Sequence, residues 1–250
     1  MSDPQSMAAP KFSLVIPAFN EADWLPALLD TVEVARRQYR GGADAIEVIV
    51  GNNASTDATA AIAEARGCRV AHVEKRAIAA ARNGGAAIAR GEILCFIDAD
   101  SRIHPETFNA IEDCMCGGRV VVGATGVHPD RWSLGLFCTW LIAVPLVYAF
   151  GFDAGVVFCR RADFEEIGGY DETMLYAEDI RVMVDLKRLG KPQGRIFARA
   201  KGARAVTSTR KYDKHGDWHY LTVMPRVGFW MLIDKGKYER FTQQYWYEDR

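Results

Sequence analysis

Short apolar runs alternate with longer amphipathic stretches between Phe12 and Asp100, and this alternation constrains the fold more than any other feature. Pro17 follows the first apolar run and is expected to end it. Strands are predicted at residues 12–16, 46–50, 69–73 and 93–97, and helices at residues 21–38, 58–66 and 78–89. Strands that alternate with helices of this length indicate βαβ units. We therefore predict an α/β fold with a mainly parallel central sheet flanked by helices.

Two carboxylates follow the fourth predicted strand. Residues 93–97 form an apolar run, and Asp98 and Asp100 come directly after it. Ligands of open α/β sheets bind just beyond the carboxyl ends of the strands, and two neighbouring carboxylates suit a hard divalent cation. A solvated turn explains the same pattern. The spacing alone therefore leaves a metal site and a plain turn both open.

The composition is that of an ordinary globular protein. The 250 residues are 49% hydrophobic and 25% charged, with a net charge of −1, which gives no basis for a nucleic-acid partner. The six cysteines lack the spacing of a disulfide framework, so reduced thiols in a cytosolic protein are expected. Residues 1–10 lack the basic and apolar regions of a signal peptide. The predicted location is cytoplasmic, with the inner face of the membrane as the alternative.

Several short motifs follow one another in a distinctive order. They are Val15–Glu21, Ser55–Asp57, Ala81–Gly84, Asp98–Asp100, Gly155–Phe158, Gly168–Glu172 and Glu178–Asp179. Together they resemble the family-2 glycosyltransferases of the GT-A fold. The resemblance implies a GT-A domain at residues 11–204, with a nucleotide-binding half (11–102) and an acceptor half (103–204). Residues 205–250, rich in aromatic and basic side chains, then form a C-terminal extension.

The resemblance also implies an activity and a donor site. The expected reaction is the inverting transfer of a hexose-type sugar from a nucleotide-diphosphate sugar to an acceptor hydroxyl, assisted by Mg²⁺ or Mn²⁺. By resemblance, Asp100 is the direct metal ligand and Asp98 holds the ribose or the water shell of the metal. His215 is a candidate for completing the metal site. The donor-binding candidates are Pro17, Ala18, Phe19, Asn20, Glu21, Asn52, Asp57, Arg82, Asp98, Ala99, Arg210 and Lys211.

Ordinary structural roles also account for several of these donor-site residues. Pro17 and Asn20 could be a strand end and a helix cap, and Asp57 a first-turn acid that complements a helix dipole. Arg82 could be an ion-pair donor between helices. Asn52 stands where relatives commonly have Asp, and an amide offers hydrogen-bond donors that a carboxylate lacks. The identity of the donor base therefore stays open.

An acidic pair in the second half of the chain is the candidate catalytic centre. Inversion needs a base that takes the proton of the acceptor hydroxyl during attack. By resemblance, Asp179 is that base and Glu178 orients the acceptor or a loop. Both acids would also be favourable in the first turn of a helix predicted at residues 180–189. The acceptor-side candidates that the same motifs imply are Gly155, Gly169 and Tyr170.

Residues 134–152 contain no charged side chain and are long enough to be considered as a membrane span. A single crossing would place Asp100 and Asp179 on opposite faces of the membrane, although both must act at one site. Pro145 would also break a continuous helix. A buried hydrophobic hairpin, an interfacial element resting on a membrane and a contact in a homo-oligomer remain open. Residues 220–247 are aromatic and basic, which suits either an interfacial element or a packing tail.

Two other functions are compatible with part of the pattern. A nucleotidyltransferase also uses paired aspartates on an α/β sheet, but it normally has a Gly-rich, basic loop where this chain has Ala18–Glu21. A non-catalytic sugar-nucleotide-binding protein would not need Asp98, Asp100 and Asp179. The acceptor is left open as a small molecule, a saccharide or a lipid-linked group. The chain has no Gln-x-x-Arg-Trp motif, which favours a single-addition enzyme over a processive synthase.

Overall fold

The computed structural model describes residues 9–174, 177–223 and 225–226. The strands are β1 (Phe12–Ala18), β2 (Ile46–Asn52), β3 (Arg69–His72), β4 (Ile93–Phe96), β5 (Val120–Ala124), β6 (Val127–Pro129), β7 (Val157–Arg160), β8 (Ile196–Arg199) and β9 (Ala205–Thr207). The helices are α1 (Leu25–Gln38), α2 (Thr59–Ala65), α3 (Ile78–Ala87), α4 (Thr107–Met115), α5 (Leu134–Phe150), α6 (Arg161–Glu166), α7 (Glu178–Gly190) and α8 (Arg210–His215). Strand and helix alternate regularly up to β4, as predicted, and less regularly after it.

A seven-stranded sheet lies at the centre of the described part, in the order β3-β2-β1-β4-β7-β5-β8. The neighbouring pairs among β1 to β4 are parallel, and so are β5 and β8. The strand β7 runs antiparallel to both of its neighbours, β4 and β5. These pairings confirm the predicted α/β fold with a mainly parallel sheet. A separate parallel pair is formed by β6 and β9.

Helices cover both faces of the sheet and bury two apolar layers. On one face, α1, α2 and α4 pack against the strands through residues such as Leu28, Ala63 and Phe108. On the other face, α3 and α7 contribute Ala86 and Leu186. Because β1 and β2 are buried along their whole length, their sequences are almost continuously apolar, as is typical of inner parallel strands. This is why both could be recognised in the sequence.

The strand β1 continues through Pro17 to Ala18, so the prediction that Pro17 ends the strand is wrong. β4 pairs with β1 only as far as Val15, beyond which the Ile97 amide donates to the Val15 carbonyl. Pro17 lies past this ladder and pairs with Gly51 of β2 on the other side. Its missing N–H therefore costs no sheet hydrogen bond on the β4 side.

The apolar segment forms one 17-residue helix, α5, and Pro145 lies inside it without ending it. The expected break and the buried hairpin are therefore not formed. Pro145 is exposed, so water can solvate the carbonyl that loses its helical partner. Leu134 (70% exposed), Leu141 (65%) and Phe137 (55%) leave one face of the helix open to solvent. Within the described ranges, no helix is long and apolar enough to cross a membrane.

The central sheet continues across the predicted boundary between residues 102 and 103, because β5, β7 and β8 extend the sheet begun by β1 to β4. The predicted C-terminal extension begins with β9, which pairs with β6, and Val206 forms an isolated bridge with Arg102. The proposed domain limits therefore stay predictions. Residues 227–250, which hold most of the aromatic and basic tail, lie outside the described residues.

Candidate active site

A polar cleft of about 190 Å³ lies at the carboxyl ends of β1 and β4. The predicted site residues that line it are Pro17, Glu21, Asp98, Ala99, Asp100, Arg210 and Lys211. Ser208 also lines it, beside the basic pair. The sequence analysis missed Ile78, Thr207, Tyr212 and Tyr220. Thr207 reaches the cleft because β9 pairs with β6, and no local sequence pattern predicts such a long-range pairing.

Arg210 connects α8 to both strand ends of the cleft. Its two terminal nitrogens donate to the Glu21 carboxylate at 2.8 and 2.9 Å, and its Nε lies 2.9 Å from Asp100 Oδ2. Glu21 is buried, with 3% of its surface exposed. Burial alone would lower the pKa of Arg210, but the hydrogen bond to Glu21 and the charge of Asp100 outweigh burial and raise it. A fixed positive charge therefore lies between two carboxylates in the cleft.

Arg82, on α3, connects the cleft to the acidic pair. It donates to Asp98 Oδ1 at 2.9 Å and to Glu178 Oε1 at 2.6 Å, and its guanidinium lies 5.1 Å from the centre of the Tyr170 ring. Its Nε is buried and has no hydrogen-bond partner among the described residues. Burial would lower the pKa of Arg82, but the charges of Asp98 and Glu178 help to raise it. The ion-pair role considered for Arg82 is therefore observed, and the two ion pairs link the segments that contain Asp98 and Glu178.

The acidic pair begins α7, and its two members face different surroundings. Glu178 is buried against Arg82, and burial raises the pKa of its carboxyl in spite of the nearby guanidinium. Asp179 Oδ1 accepts a hydrogen bond from the Ile180 amide at 2.8 Å. The Asp179 side chain lines a second cavity, of about 660 Å³, between α5 and α7. Arg82 thus joins Asp98, which lines the cleft, to Glu178, whose neighbour in sequence, Asp179, lines the larger cavity.

Two of the donor-site candidates, Asn20 and Asp57, hold the loops that follow β1 and β2 rather than lining the cleft. Asn20, with φ of +52°, accepts a hydrogen bond from the Thr56 amide at 2.8 Å. Asp57 accepts from the amides of Ala22 at 3.1 Å and Thr59 at 2.9 Å. Burial would raise the pKa of Asp57, but these hydrogen bonds outweigh it and lower the pKa. Both side chains therefore have a structural role, but not the one considered: the N-cap of α1 is Trp24 rather than Asn20, and Asp57 lies before the first turn of α2.

Asn52 and Ala18 end neighbouring strands and lie opposite each other in the sheet. The buried Asn52 side chain accepts a hydrogen bond from the Ser55 amide at 3.3 Å. Phe19, the next residue after β1, packs against the guanidinium of Arg76, whose central carbon lies 4.0 Å from the ring centre. The donor-site candidates Ala18, Phe19 and Asn52 are not among the residues that line the cleft.

The sequence analysis did not select Asn83, which fixes the segment around Gly169 and Tyr170. Its side chain accepts from the Tyr170 amide and donates to the Tyr170 carbonyl, both at 2.9 Å. Gly169 has φ of +76°, and a Cβ there would lie 2.7 Å from the Asn83 oxygen. Only glycine fits this position without strain. The signal was present, because Asn83 lies in the same motif as Arg82.

Gly155 and His215 occupy different positions from the cleft residues. Gly155 has φ of +89°, and a Cβ there would lie 2.4 Å from the Gly126 carbonyl oxygen, beside the larger cavity. His215 ends α8, and its ring stacks on that of His219 with 4.6 Å between the ring centres. Over the described residues, no three His, Cys, Asp or Glu side chains are grouped so that they could hold a metal ion.

The family model for glycosyl transferase family 2 matches residues 13–136. This range includes β1 to β4 and the carboxylates of the cleft. A curated relative from Bacillus subtilis (strain 168), which carries the name glycosyltransferase EpsH, is 34% identical over 105 residues. The alignment covers 40% of this chain and 29% of that protein, so the chain spans less than a third of its relative.

Solved structures share the fold at low sequence identity. Staphylococcus aureus TarS, in a complex with UDP-GlcNAc, is 20% identical with a TM-score of 0.62, over 80% of this chain and 59% of that one. The mannosyltransferase PcManGT from Pyrobaculum calidifontis, in a complex with GDP-Man and Mn²⁺, is 19% identical with a TM-score of 0.60. That alignment covers 82% of this chain and 60% of the mannosyltransferase. These similarities confirm the predicted GT-A fold.

Proposed function

Because the family model for glycosyl transferase family 2 matches residues 13–136, we propose that the chain is an inverting, metal-assisted glycosyltransferase of that family. It transfers a sugar from a nucleotide-diphosphate sugar to an acceptor hydroxyl. One observation carries the proposal: Arg82 joins Asp98 of the donor cleft to Glu178, the residue next to Asp179. The two carboxylate groups that such a reaction needs therefore belong to one connected site.

The donor diphosphate would lie over the cleft between β4 and α8. Arg210 and Lys211 line this cleft with Ser208, so the cleft offers two cations and a hydroxyl for phosphate oxygens. Phe19, Asn20 and Asn52 would border the nucleoside. Uridine and guanosine are both candidates, since TarS is in a complex with UDP-GlcNAc and PcManGT with GDP-Man. Asn52 offers both an acceptor and donors to the base.

The donor set in the cleft fits a divalent metal ion. Asp98 and Asp100 supply hard oxygen ligands, and Mg²⁺ commonly binds through one or two carboxylates together with substrate phosphates. Asp100 would be the direct ligand, and Asp98 would hold the ribose or the water shell. When bound, Mg²⁺ or Mn²⁺ would neutralise the leaving diphosphate. His215 as a further ligand stays a proposal, and its ring would have to leave its stacked contact with His219.

Asp179 is the proposed general base. Asp179 lines the larger cavity, whereas Asp98 and Asp100 line the cleft, so the acceptor would occupy the cavity and the diphosphate the cleft. During attack the acceptor oxygen forms its bond to the anomeric carbon, its proton passes to Asp179, and the nucleoside diphosphate leaves. Glu178 would hold Arg82 and through it the position of α7. Gly155, Gly169 and Tyr170 would shape the acceptor side.

Nucleotide binding tests this proposal directly. Calorimetric titration with UDP and with GDP should show binding of one of them that strengthens at least about tenfold when Mn²⁺ is present. Asp100→Ala should remove the metal-dependent part and leave the fold intact. Asp113→Ala, at an exposed ion pair with Arg40, is the control and should bind as the wild type does. If neither nucleotide binds with or without Mn²⁺, the proposal is wrong.

The cellular setting follows from the same residues as a proposal. The enzyme would work in the cytoplasm or at the inner face of the membrane, where nucleotide sugars are available. The solvent-facing side of α5, with Leu134, Phe137 and Leu141, would contact the membrane surface. A homo-oligomer contact through the same face is the alternative. The acceptor would be a small molecule, a saccharide or a lipid-linked group.

A further inference from the structure

The larger cavity has walls that differ from those of the donor cleft. It measures about 660 Å³, against about 190 Å³ for the cleft, and so falls in the range of roughly 300–1,000 Å³ typical of ligand pockets. α5 contributes Trp140, Val144 and Val147, and α7 contributes Ile180 and Met183. These side chains offer no strong hydrogen-bonding groups apart from the indole N–H. The chemistry of the walls therefore favours a hydrocarbon occupant.

The polar groups of this cavity lie among few residues. The charged residues that line it are Asp179, Asp153 and Arg204, and Asp153 Oδ2 accepts a hydrogen bond from Arg199 Nε at 2.7 Å. The charge of Asp153 is therefore already balanced by a cation, whereas Asp179 accepts from a backbone amide. Apolar walls thus lead to the carboxylate that is the proposed base. Such a site suits a molecule with a hydroxyl at one end and an apolar chain behind it.

A purely polar acceptor would fit these walls poorly. Each sugar hydroxyl placed against Val144, Val147 or Met183 would lose its water without gaining a partner, and unpaired polar groups are costly to bury. A hydrocarbon chain loses nothing in the same place and gains from leaving water. The walls therefore distinguish between the acceptor classes that the sequence left open.

From this chemistry we propose that the cavity binds the hydrocarbon chain of a lipid acceptor and places the lipid's hydroxyl end at Asp179. The inference rests on the proposed function, because it takes Asp179 as the base. The two sides of α5 then have different roles. Its inward side chains, such as Val147, hold the acceptor chain, and its outward ones, such as Leu141, face the membrane from which the lipid comes.

Alkyl glucosides with alkyl chains of increasing length provide the test, which uses the full-length protein. Calorimetric titrations would use n-hexyl, n-heptyl and n-octyl β-D-glucoside, each below the concentration at which it forms micelles. Affinity should rise about fourfold for each added methylene, equivalent to about 0.8 kcal/mol. Glucose should bind far more weakly than the octyl compound. Equal affinities across the series would overturn the proposal.

A matched pair of variants tests whether the alkyl chain of the glucoside binds in the cavity. Val147→Phe fills the cavity, whereas Ile142→Phe adds a similar bulk to a side chain that is 55% exposed and outside the cavity lining. Octyl glucoside should bind at least about tenfold more weakly to the first variant and unchanged to the second. Equal losses in both variants would contradict the assignment. Circular dichroism and thermal unfolding verify the fold, and the chain-length series on the wild type stands if Val147→Phe is unfolded.

Nucleotide titrations on the same preparations separate this inference from the proposed function. If UDP or GDP binds with Mn²⁺ but affinity for the glucosides does not depend on chain length, the lipid acceptor is wrong and the glycosyltransferase proposal stands. If the nucleotides fail to bind while the chain-length dependence is found, the cavity binds lipid but the proposed activity is wrong. Agreement of both titrations supports the two proposals together.

Discussion

Arg82 holds two carboxylates from different parts of the site, and this makes it the residue on which the site's geometry depends most. Arg82→Ala would leave Glu178 buried without its cation, and breaking such a buried pair is strongly destabilising. We expect a loss of about 3 kcal/mol in the free energy of unfolding, measured with urea. Arg90→Ala is the control, because Arg90 is an exposed partner of Glu47 and should cost less than about 1 kcal/mol.

The pH dependence of this loss tests the role assigned to Glu178. A raised pKa means that the folded state binds this proton more tightly than the unfolded state, so stability falls as pH rises through that range. Arg82 opposes the rise, and its removal should raise the pKa of Glu178 further. Protonation then relieves the buried charge. The destabilisation of Arg82→Ala should therefore be smaller at about pH 5 than at about pH 8, and a constant loss would exclude Glu178 as the cause.

Asp179→Asn tests the proposed base. An amide matches the carboxylate in shape but cannot take the proton of the acceptor, so transfer should fall by about 10²–10⁴-fold. Donor binding should be unchanged, because Asp179 lines the acceptor cavity rather than the donor cleft. Transfer is measured by release of nucleoside diphosphate in the presence of acceptor, and donor affinity by calorimetry. Undiminished transfer would remove Asp179 from this role.

Between elements, Glu112 joins α4 to the segments that precede β1 and follow α1. From α4 it accepts hydrogen bonds from Lys11 before β1, and from Tyr39 and Arg40 after α1, the last two at 2.9 and 2.6 Å. Burial would raise the pKa of Glu112, but these donors outweigh it and lower the pKa to about 2. The carboxylate therefore stabilises the fold above its ordinary pKa, and this contribution is lost as pH falls towards about 2.

Glu112→Gln should reveal that contribution. The variant should be less stable than the wild type at neutral pH, and the difference should shrink as pH falls from about 5 towards 2. Urea unfolding at several pH values measures it. Glu33→Gln, at an exposed ion pair within α1, is the control and should be nearly neutral throughout. A difference that persists at the lowest pH would mean that shape rather than charge decides the effect.

The elements were predictable where local periodicity fixes them. β2, α2 and α3 lie within a few residues of their predicted positions, because each is encoded by a continuous apolar run or a helical stripe. The antiparallel direction of β7 was not predictable, because the sequence of a four-residue strand does not indicate its direction relative to its neighbours in the sheet. The continuity of α5 through Pro145 was missed for a similar reason, because tolerance of proline depends on solvent at the freed carbonyl.

Across the whole molecule, the order of the motifs predicted which residues share a site but not the contacts that they make with one another. Asp98 and Asp100 were expected at a ligand site because they follow the end of a strand, and the resemblance of the motifs added Glu21 to the same site. The contact of Arg210 with Glu21 joins residues 189 positions apart, and it depends on where β9 and α8 pack. Asn20 and Asp57 were assigned to the donor, although hydrogen bonds within their loops hold both side chains. Sequence patterns do not distinguish these two uses of a polar residue.

The solvent-facing side of α5 is the surface through which we expect the protein to contact a membrane. Leu141 and Phe137 are 65% and 55% exposed, so substitutions there test a contact with a membrane or with a second copy of the chain. Val147 lines the cavity instead, so a substitution at Val147 would not test that contact. The wild type should sediment with vesicles of phosphatidylcholine and phosphatidylglycerol. Phe137→Glu together with Leu141→Glu should weaken this association by more than about tenfold, because an apolar side chain contributes about 1.5–3 kcal/mol on full burial. Because both side chains are more than half exposed, the two substitutions should change thermal unfolding little. If the wild type stays in the supernatant and these two substitutions instead dissociate a dimer in analytical ultracentrifugation, the face is an oligomer contact and the membrane proposal is wrong.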